Sequence, residues 1–157
     1  MHWKLLSLAA LCLASPGCSL SSPCESAPST TLELGGGLDE FVPFDESPTL
    51  DLVYGPQGGV HVEVSLLATG LDATASWQTQ LSGSQEGTVM AATLDTLPQP
   101  RCREDGSGAV VSGLRLIFED WVRPGDFDQP IEILAEVRDQ QGGVAEAVQE
   151  TVWVVVP

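Results

Sequence analysis

Hydrophobic and polar residues alternate along much of this chain, and glycine or proline interrupts the alternation about every ten residues. The alternation is clearest from 60 to 69, where one face carries Val60, Val62, Val64 and Leu66 and the other carries His61, Glu63 and Ser65. A period of two is typical of a β-strand with one buried and one solvated face. No apolar stripe keeps helical spacing over several turns. The sequence therefore predicts an all-β chain.

The pattern predicts an antiparallel β-sandwich of about seven to eight strands that occupies residues 31–157 as one domain. The predicted strands lie near Thr31–Leu34, Thr49–Tyr54, Val60–Thr69, Ala75–Leu81, Thr88–Leu94, Ala109–Phe118, Ile131–Arg138 and Val144–Val156. Turns rich in glycine are predicted at 55–59, 82–87, 106–108 and 139–143, because glycine permits the backbone angles that tight turns need.

The last two predicted strands carry the most specific fold signature. Residues 131–139 read Ile-Glu-Ile-Leu-Ala-Glu-Val-Arg-Asp, and a turn with two glycines leads into the valine-rich segment Val144–Val156. This hairpin resembles the closing hairpin of immunoglobulin-like and cadherin-like modules. The resemblance implies an immunoglobulin-like sandwich and brings no binding activity with it. An antibody-type domain is not expected, because Cys24 falls in a tether and Cys102 in a predicted loop.

The N-terminus reads as an export signal. Lys4 precedes the apolar run Leu5–Ala14, which is as long as a signal-peptide core and too short to span a bilayer. Gly17-Cys18 resembles the lipobox of bacterial lipoproteins, in which the cysteine is acylated and becomes the mature N-terminus. The resemblance implies a signal peptide at 1–17 and a lipidation site at Cys18. Cleavage as an ordinary secreted protein and an uncleaved anchor are the alternatives.

Residues 18–30 are rich in serine and proline, which indicates a flexible tether. Extended chain of this length reaches at most about 40 Å, so the domain would stand close to a membrane. By the lipoprotein family's usual sorting, Ser19 favours the outer membrane. Two segments, Leu34–Pro43 and Leu52–Val62, are also similar to a stretch of small uncharacterised lipoproteins of Gram-negative bacteria, a resemblance that implies no activity.

The chain is strongly acidic. Its 22 acidic residues outnumber 6 basic ones, giving a formal net charge of −16, and loss of Lys4 with the signal would make this −17. Such a surface repels phosphate groups, so nucleic-acid binding is excluded. The acidity would attract divalent cations or basic partners without specifying either. The expected partners are the membrane, through the lipid anchor, and an envelope protein.

Two cysteines, Cys24 and Cys102, remain once Cys12 is assigned to the signal and Cys18 to the lipid. In an oxidising compartment such a pair forms a disulfide more often than it binds metal. Zinc is disfavoured because the sequence has no C-x-x-C and its mature part has one histidine. We therefore predict a Cys24–Cys102 disulfide.

No catalytic residue is predicted. His61 is expected on the exposed face of its strand, where histidine is usually an ordinary surface residue. No nucleophile elbow, zinc-protease, Walker or dinucleotide motif occurs, and the mature part has no lysine for Schiff-base chemistry. A carboxylate-based hydrolase stays an alternative, because the abundant acids form many close pairs and sequence spacing does not define a cleft.

Calcium is the one candidate cofactor. Acidic residues flank the Pro124-Gly125 turn, and cadherin-type sandwiches bind calcium through acidic loops with carboxylate oxygens as ligands. The candidate ligands here are Glu119, Asp120, Asp126 and Asp128. A second acidic cluster comprises Asp39, Glu40, Asp45 and Glu46. At both places a solvated acidic loop without bound metal is the alternative.

Three tryptophans lie beyond the predicted signal, and the core is the usual place for this residue. Trp77 is in phase with Thr79, whereas Trp153 falls on the opposite face of its strand from the valines on either side. Trp121 lies in a loop and is the tryptophan most expected to be exposed and to contact a ligand.

These features predict a membrane-anchored cell-envelope lipoprotein with a non-enzymatic binding or structural domain. A calcium-dependent adhesion module and an exported carboxylate-based hydrolase are the alternative functions.

Overall fold

The computed structural model describes residues 24, 29–56, 59–93 and 96–157. This part of the chain is built from strands and one short 3-10 helix at Pro124–Asp128, so the all-β prediction is confirmed. The strands are β1 (Thr31–Gly36), β2 (Val42–Pro43), β3 (Thr49–Asp51), β4 (Val53–Tyr54), β5 (Val60–Thr69), β6 (Gln78–Gln85), β7 (Thr88–Ala92), β8 (Arg101–Cys102), β9 (Ala109–Phe118), β10 (Ile131–Arg138) and β11 (Val144–Val155).

These strands form one continuous sheet around a single hydrophobic core. Its order is β2-β1-β5-β9-β7-β6-β10-β11-β3, with β4 added to β5 and β8 added to β9. β7 joins the two halves, because it hydrogen-bonds to β9 on one side and to β6 on the other. The prediction of a purely antiparallel arrangement is wrong at one place, since β11 and β3 run parallel.

The long strands bury alternate side chains. β10 completely buries Ile131, Ile133, Ala135 and Val137 and turns the intervening residues outward. Complete burial of one valine or isoleucine side chain contributes about 1.5–3 kcal/mol. The observed bounds of β5, β9 and β10 match the predicted ones, because each of these strands is long enough to display its period.

The prediction that one face of β5 is solvated is wrong. Ser65 is completely buried, and His61 is nearly so. β5 lies between β1 and β9, and the chain that follows β1 approaches its outer side. The Ser65 hydroxyl donates a 2.5 Å hydrogen bond to the Gly37 carbonyl, which lies on this covering segment.

The predicted strand Thr49–Tyr54 is two strands with different partners. β3 pairs with β11, whereas β4 pairs with β5. Between them, Leu52 is buried, and its N–H donates a 2.8 Å hydrogen bond to the Val155 carbonyl. The chain therefore crosses from one half of the sheet to the other within a few residues.

The predicted turn at 82–87 is shorter in the structure. β6 continues through Gln85, so the turn is formed by Glu86 and Gly87, which have φ angles of 50° and 80°. Positive φ at both positions gives the twist that two-residue hairpins favour. Gly83 is part of β6, where an added Cβ would lie 3.2 Å from a methyl carbon of Leu116.

A carboxylate network joins the β5–β6 and β10–β11 connections. The Asp139 carboxylate accepts hydrogen bonds from the backbone N–H groups of Asp72, Gln141 and Gly143 at 2.7–2.9 Å. The Asp72 carboxylate accepts bonds from the Thr74 hydroxyl, the Thr74 N–H and the Gln141 side-chain amide. These bonds, above all the one from the Thr74 hydroxyl, lower the pKa of Asp72 below its ordinary value.

We expect acid to remove the contribution of Asp72 to stability. Because its folded-state pKa is lowered, this contribution is present above the unfolded value of 3.8 and is lost as the pH falls through 3.8 toward the folded pKa. Thermal melts between about pH 6 and about pH 2 should show wild type losing stability in this window and Asp72→Asn losing less. Asp128→Asn removes an exposed carboxylate as the matched control. An Asp72→Asn profile parallel to that of wild type would contradict the expectation.

Candidate functional site

The disulfide ties the start of the described chain to the sheet. Cys24 and Cys102 are bonded across a sequence separation of 78, with 5.6 Å between their Cα atoms, in agreement with the predicted pairing. Cys102 lies in β8 and not in a loop, because Arg101 and Cys102 pair with β9. The predicted signal peptide at 1–17, the lipidation site Cys18 and most of the predicted tether lie outside the described residues.

The four carboxylates of the first candidate calcium site lie along the connection from β9 to β10. Asp126 is engaged with the backbone, since its carboxylate accepts the Arg123 N–H at 2.7 Å at the start of the 3-10 helix. Within residues 24, 29–56, 59–93 and 96–157, no three His, Cys, Asp or Glu side chains are grouped closely enough to hold a metal ion. The structure thus does not assemble the candidate set Glu119, Asp120, Asp126 and Asp128.

The second acidic cluster is divided between two open hollows of about 570 Å³ each. Asp39 and Glu40 line the hollow beside the disulfide, where the Arg101 guanidinium donates a 3.1 Å hydrogen bond to the Asp39 carbonyl. Asp45 lines the other hollow, and its carboxylate accepts the N–H of Ser47. Glu46 lies beside Asp45 on the exposed surface. The carboxylates of this cluster therefore face different surroundings.

His61 is 9 % exposed and lies between Val53 of β4 and Ile117 of β9. Its Nε2 is 3.9 Å from Glu63 Oε1. Ser65 lies four residues further along β5, and its hydroxyl donates to the Gly37 carbonyl. The His61 imidazole therefore has a carboxylate neighbour in Glu63, but the Ser65 hydroxyl is not placed beside it as a nucleophile.

The three tryptophans have different environments. Trp77 is completely buried, and its Nε1–H donates a 2.6 Å hydrogen bond to the Asp72 carbonyl. Trp121 is 51 % exposed in the turn after β9, as its loop position predicts. Trp153 is 38 % exposed, whereas the valines on either side of it are buried, as the alternation predicts.

One surface, which combines exposed hydrophobic and acidic residues, was not predicted from the sequence. We call it the β10–β11 face. Its hydrophobic members are Leu134, Val144, Val148, Trp153 and Val155, and its acidic members are Glu132, Glu136, Glu146 and Glu150. All occupy outward positions of the last hairpin. The repeated alternation of glutamate with valine or leucine on the outward positions is the signal that identifies it.

In the part of the chain that the structure describes, no helix is long and apolar enough to cross a membrane. No protein-family model matches this chain, and no curated protein matches it. Its function must therefore be inferred from its own sequence and geometry.

Proposed function

We propose that this chain is a membrane-anchored cell-envelope lipoprotein whose β-domain works by binding or assembly and not by catalysis. The observation that carries the proposal is the apolar run Leu5–Ala14 followed by Gly17-Cys18. Removal of residues 1–17 and acylation of Cys18 would tether the domain, since several acyl chains hold a protein stably in a bilayer. Ser19 favours the outer membrane as the location.

The disulfide would hold the domain close to the membrane. Extended chain between Cys18 and Cys24 spans at most about 21 Å, about half the reach of the whole predicted tether. Because Cys24 is bonded to Cys102, the chain after it adds no reach. The domain would therefore stand with β8 on its membrane side, and the surfaces far from β8 would face potential partners.

The strand order supports an immunoglobulin-like sandwich. In constant-type immunoglobulin domains the strands A, B, E and D form one sheet and C, F and G the other. The seven strands here of five residues or more are, in chain order, β1, β5, β6, β7, β9, β10 and β11. Lettered A to G, they pair as β1-β5-β9-β7 and β6-β10-β11, with β7 also bonded to β6. This pairing supports the proposal of an immunoglobulin-like arrangement.

A binding role is supported by what the described surface offers. The His61 imidazole is nearly buried, and the hydroxyl of Ser65 is bonded to the backbone. By contrast, the β10–β11 face presents Trp153 and four aliphatic side chains to solvent. Exposed aromatic and aliphatic clusters of this kind are typical of protein-binding surfaces.

Intact-mass measurement tests the anchor. The full chain is expressed with its own N-terminus in a Gram-negative host, and the protein is recovered from the membrane fraction. We expect a mass that lacks residues 1–17 and carries an acyl-sized increment. Cys18→Ser should lose the increment, whereas Cys12→Ser, which changes a cysteine within the predicted signal, should keep it. A soluble, unmodified product cleaved elsewhere would contradict the proposal.

A further inference from the structure

Leu134 and Val148 form an apolar row across the β10–β11 face, between acidic rows on either side. Leu134 pairs directly with Val148, so their side chains are neighbours on the outer side. Trp153 lies further along the same side, because Val152, the partner of buried Ile131, points inward. The hairpin therefore presents a paired apolar row, and Trp153 adds an exposed aromatic side chain beyond the next acidic row.

The acidic members lie on both sides of the Leu134–Val148 pair. Glu136 and Glu146 are directly opposite each other, which places two like charges side by side. Arg138 supplies a positive charge at one end, but its guanidinium is bonded to Glu136 Oε1 at 2.7 Å. Glu132 and Glu150 lie on the other side of the Leu134–Val148 pair, between it and Trp153. The face as a whole is strongly negative with an apolar centre.

We propose that the β10–β11 face is the docking surface for a protein partner that presents arginine or lysine side chains around an apolar contact. This inference rests on the proposed binding function and names its surface and its partner chemistry. Leu134, Val148 and Trp153 provide the apolar surface that is buried on binding, and Trp153 is the largest of these side chains. The glutamates select the partner, because complementary charge speeds encounter and excludes acidic proteins.

Charge argues against two other occupants. A second copy docked on the same face would bring four glutamates against four glutamates across an isologous interface, which like-charge repulsion disfavours. A membrane surface rich in anionic lipid would be repelled in the same way. A basic protein is the partner that would interact favourably with both the apolar side chains and the glutamates of this face.

The test uses the full chain, expressed with its own N-terminus and purified in detergent. The probe is a short fluorescent peptide in which arginine alternates with valine or leucine, and the control peptide has glutamate at every arginine. Fluorescence anisotropy should show saturable binding of the basic peptide and none of the acidic one. Raising the salt concentration from about 50 mM to about 500 mM should weaken binding about tenfold, because the glutamates are solvent-exposed and screened.

Matched variants locate the binding. Val148→Ser and Trp153→Ser should each weaken binding about tenfold or more. Val89→Ser is the control for the first, because Val89 and Val148 are both 54 % exposed and Val89 lies on β7, which β6 separates from the hairpin. Glu146→Gln with Glu150→Gln should reduce the salt dependence, whereas Glu104→Gln should not. Melting curves establish that each variant is folded, and Val148→Thr, which preserves strand preference, replaces Val148→Ser if that variant is unfolded.

Equal affinity of wild type, Val148→Ser and Val89→Ser would overturn the proposal, as would the absence of any binding by wild type. Self-association of the wild-type protein that Val148→Ser abolishes would also overturn it and make a second copy the occupant. The peptide contacts the β-domain and not the lipid. Failure of the acylation test therefore leaves this result intact, and failure of peptide binding leaves the anchor intact.

Discussion

Trp77→Ala should lower the free energy of unfolding by about 3–5 kcal/mol, the usual cost of deleting a buried tryptophan side chain. Trp77 is completely buried among the residues of the single core. Its removal leaves a cavity that the surrounding side chains fill only in part, because they are already close-packed against one another. Urea unfolding at neutral pH provides the measurement.

Two further variants separate packing from hydrogen bonding at this position. Trp77→Phe keeps most of the apolar volume but loses the bond from Nε1–H to the Asp72 carbonyl, so its cost should be intermediate. Trp121→Ala removes a tryptophan that is half exposed and should change stability by less than about 0.5 kcal/mol. Equal losses for Trp77→Ala and Trp121→Ala would show that Trp77 is not the core residue described here.

Long strands were predictable from local pattern, and short ones were not. β9 and β10 have the predicted bounds because ten and eight residues display the period of two and their ends coincide with turns. β2, β4 and β8 have two residues each, which is too few to show any period. Their pairing depends on partners distant in sequence, and so does the parallel pairing of β3 with β11.

The face of β5 illustrates the limit of amphipathic pattern. Its polar positions alternate with its apolar ones, and this local pattern does not indicate that the polar positions are buried. Burial of Ser65 follows from the hydrogen bond to Gly37, and burial of His61 from its place between β4 and β9. Both contacts come from parts of the chain that are distant in sequence. They bury a strand face that the local pattern predicts to be solvated.

The candidate site residues were also predictable only where the outcome does not depend on tertiary contacts. The Cys24–Cys102 pairing was predictable by elimination, because only these two cysteines lie beyond the predicted signal and lipidation site. The acidic loop was not decidable from spacing, since Asp126 turns back to the Arg123 N–H instead of converging with its neighbours. The β10–β11 face requires the register of two strands, which fixes the side on which Trp153 lies.

Loss of the disulfide should lower the free energy of unfolding by about 4.5 kcal/mol in the chain-entropy model, because the bond closes a long loop in the unfolded chain. The loop is defined by the sequence separation of 78 between Cys24 and Cys102. We expect the Cys24→Ala/Cys102→Ala double variant to unfold at lower urea concentration. A reducing agent should shift wild type to the same extent and leave the double variant unchanged.

Cys18→Ser is the matched control, because it removes a cysteine close to Cys24 in sequence and leaves both Cys24 and Cys102 in place. Its unfolding midpoint, and its response to reductant, should equal those of wild type. A reductant-insensitive wild type would contradict the pairing, and a Cys18→Ser variant as unstable as the double variant would assign the bond to Cys18. If Cys18 is anchored as we propose, reduction also frees the chain after Cys24, so the maximal reach of the proposed tether should increase from about 21 Å to about 40 Å. Redox state would then set both the stability of the domain and its distance from the membrane.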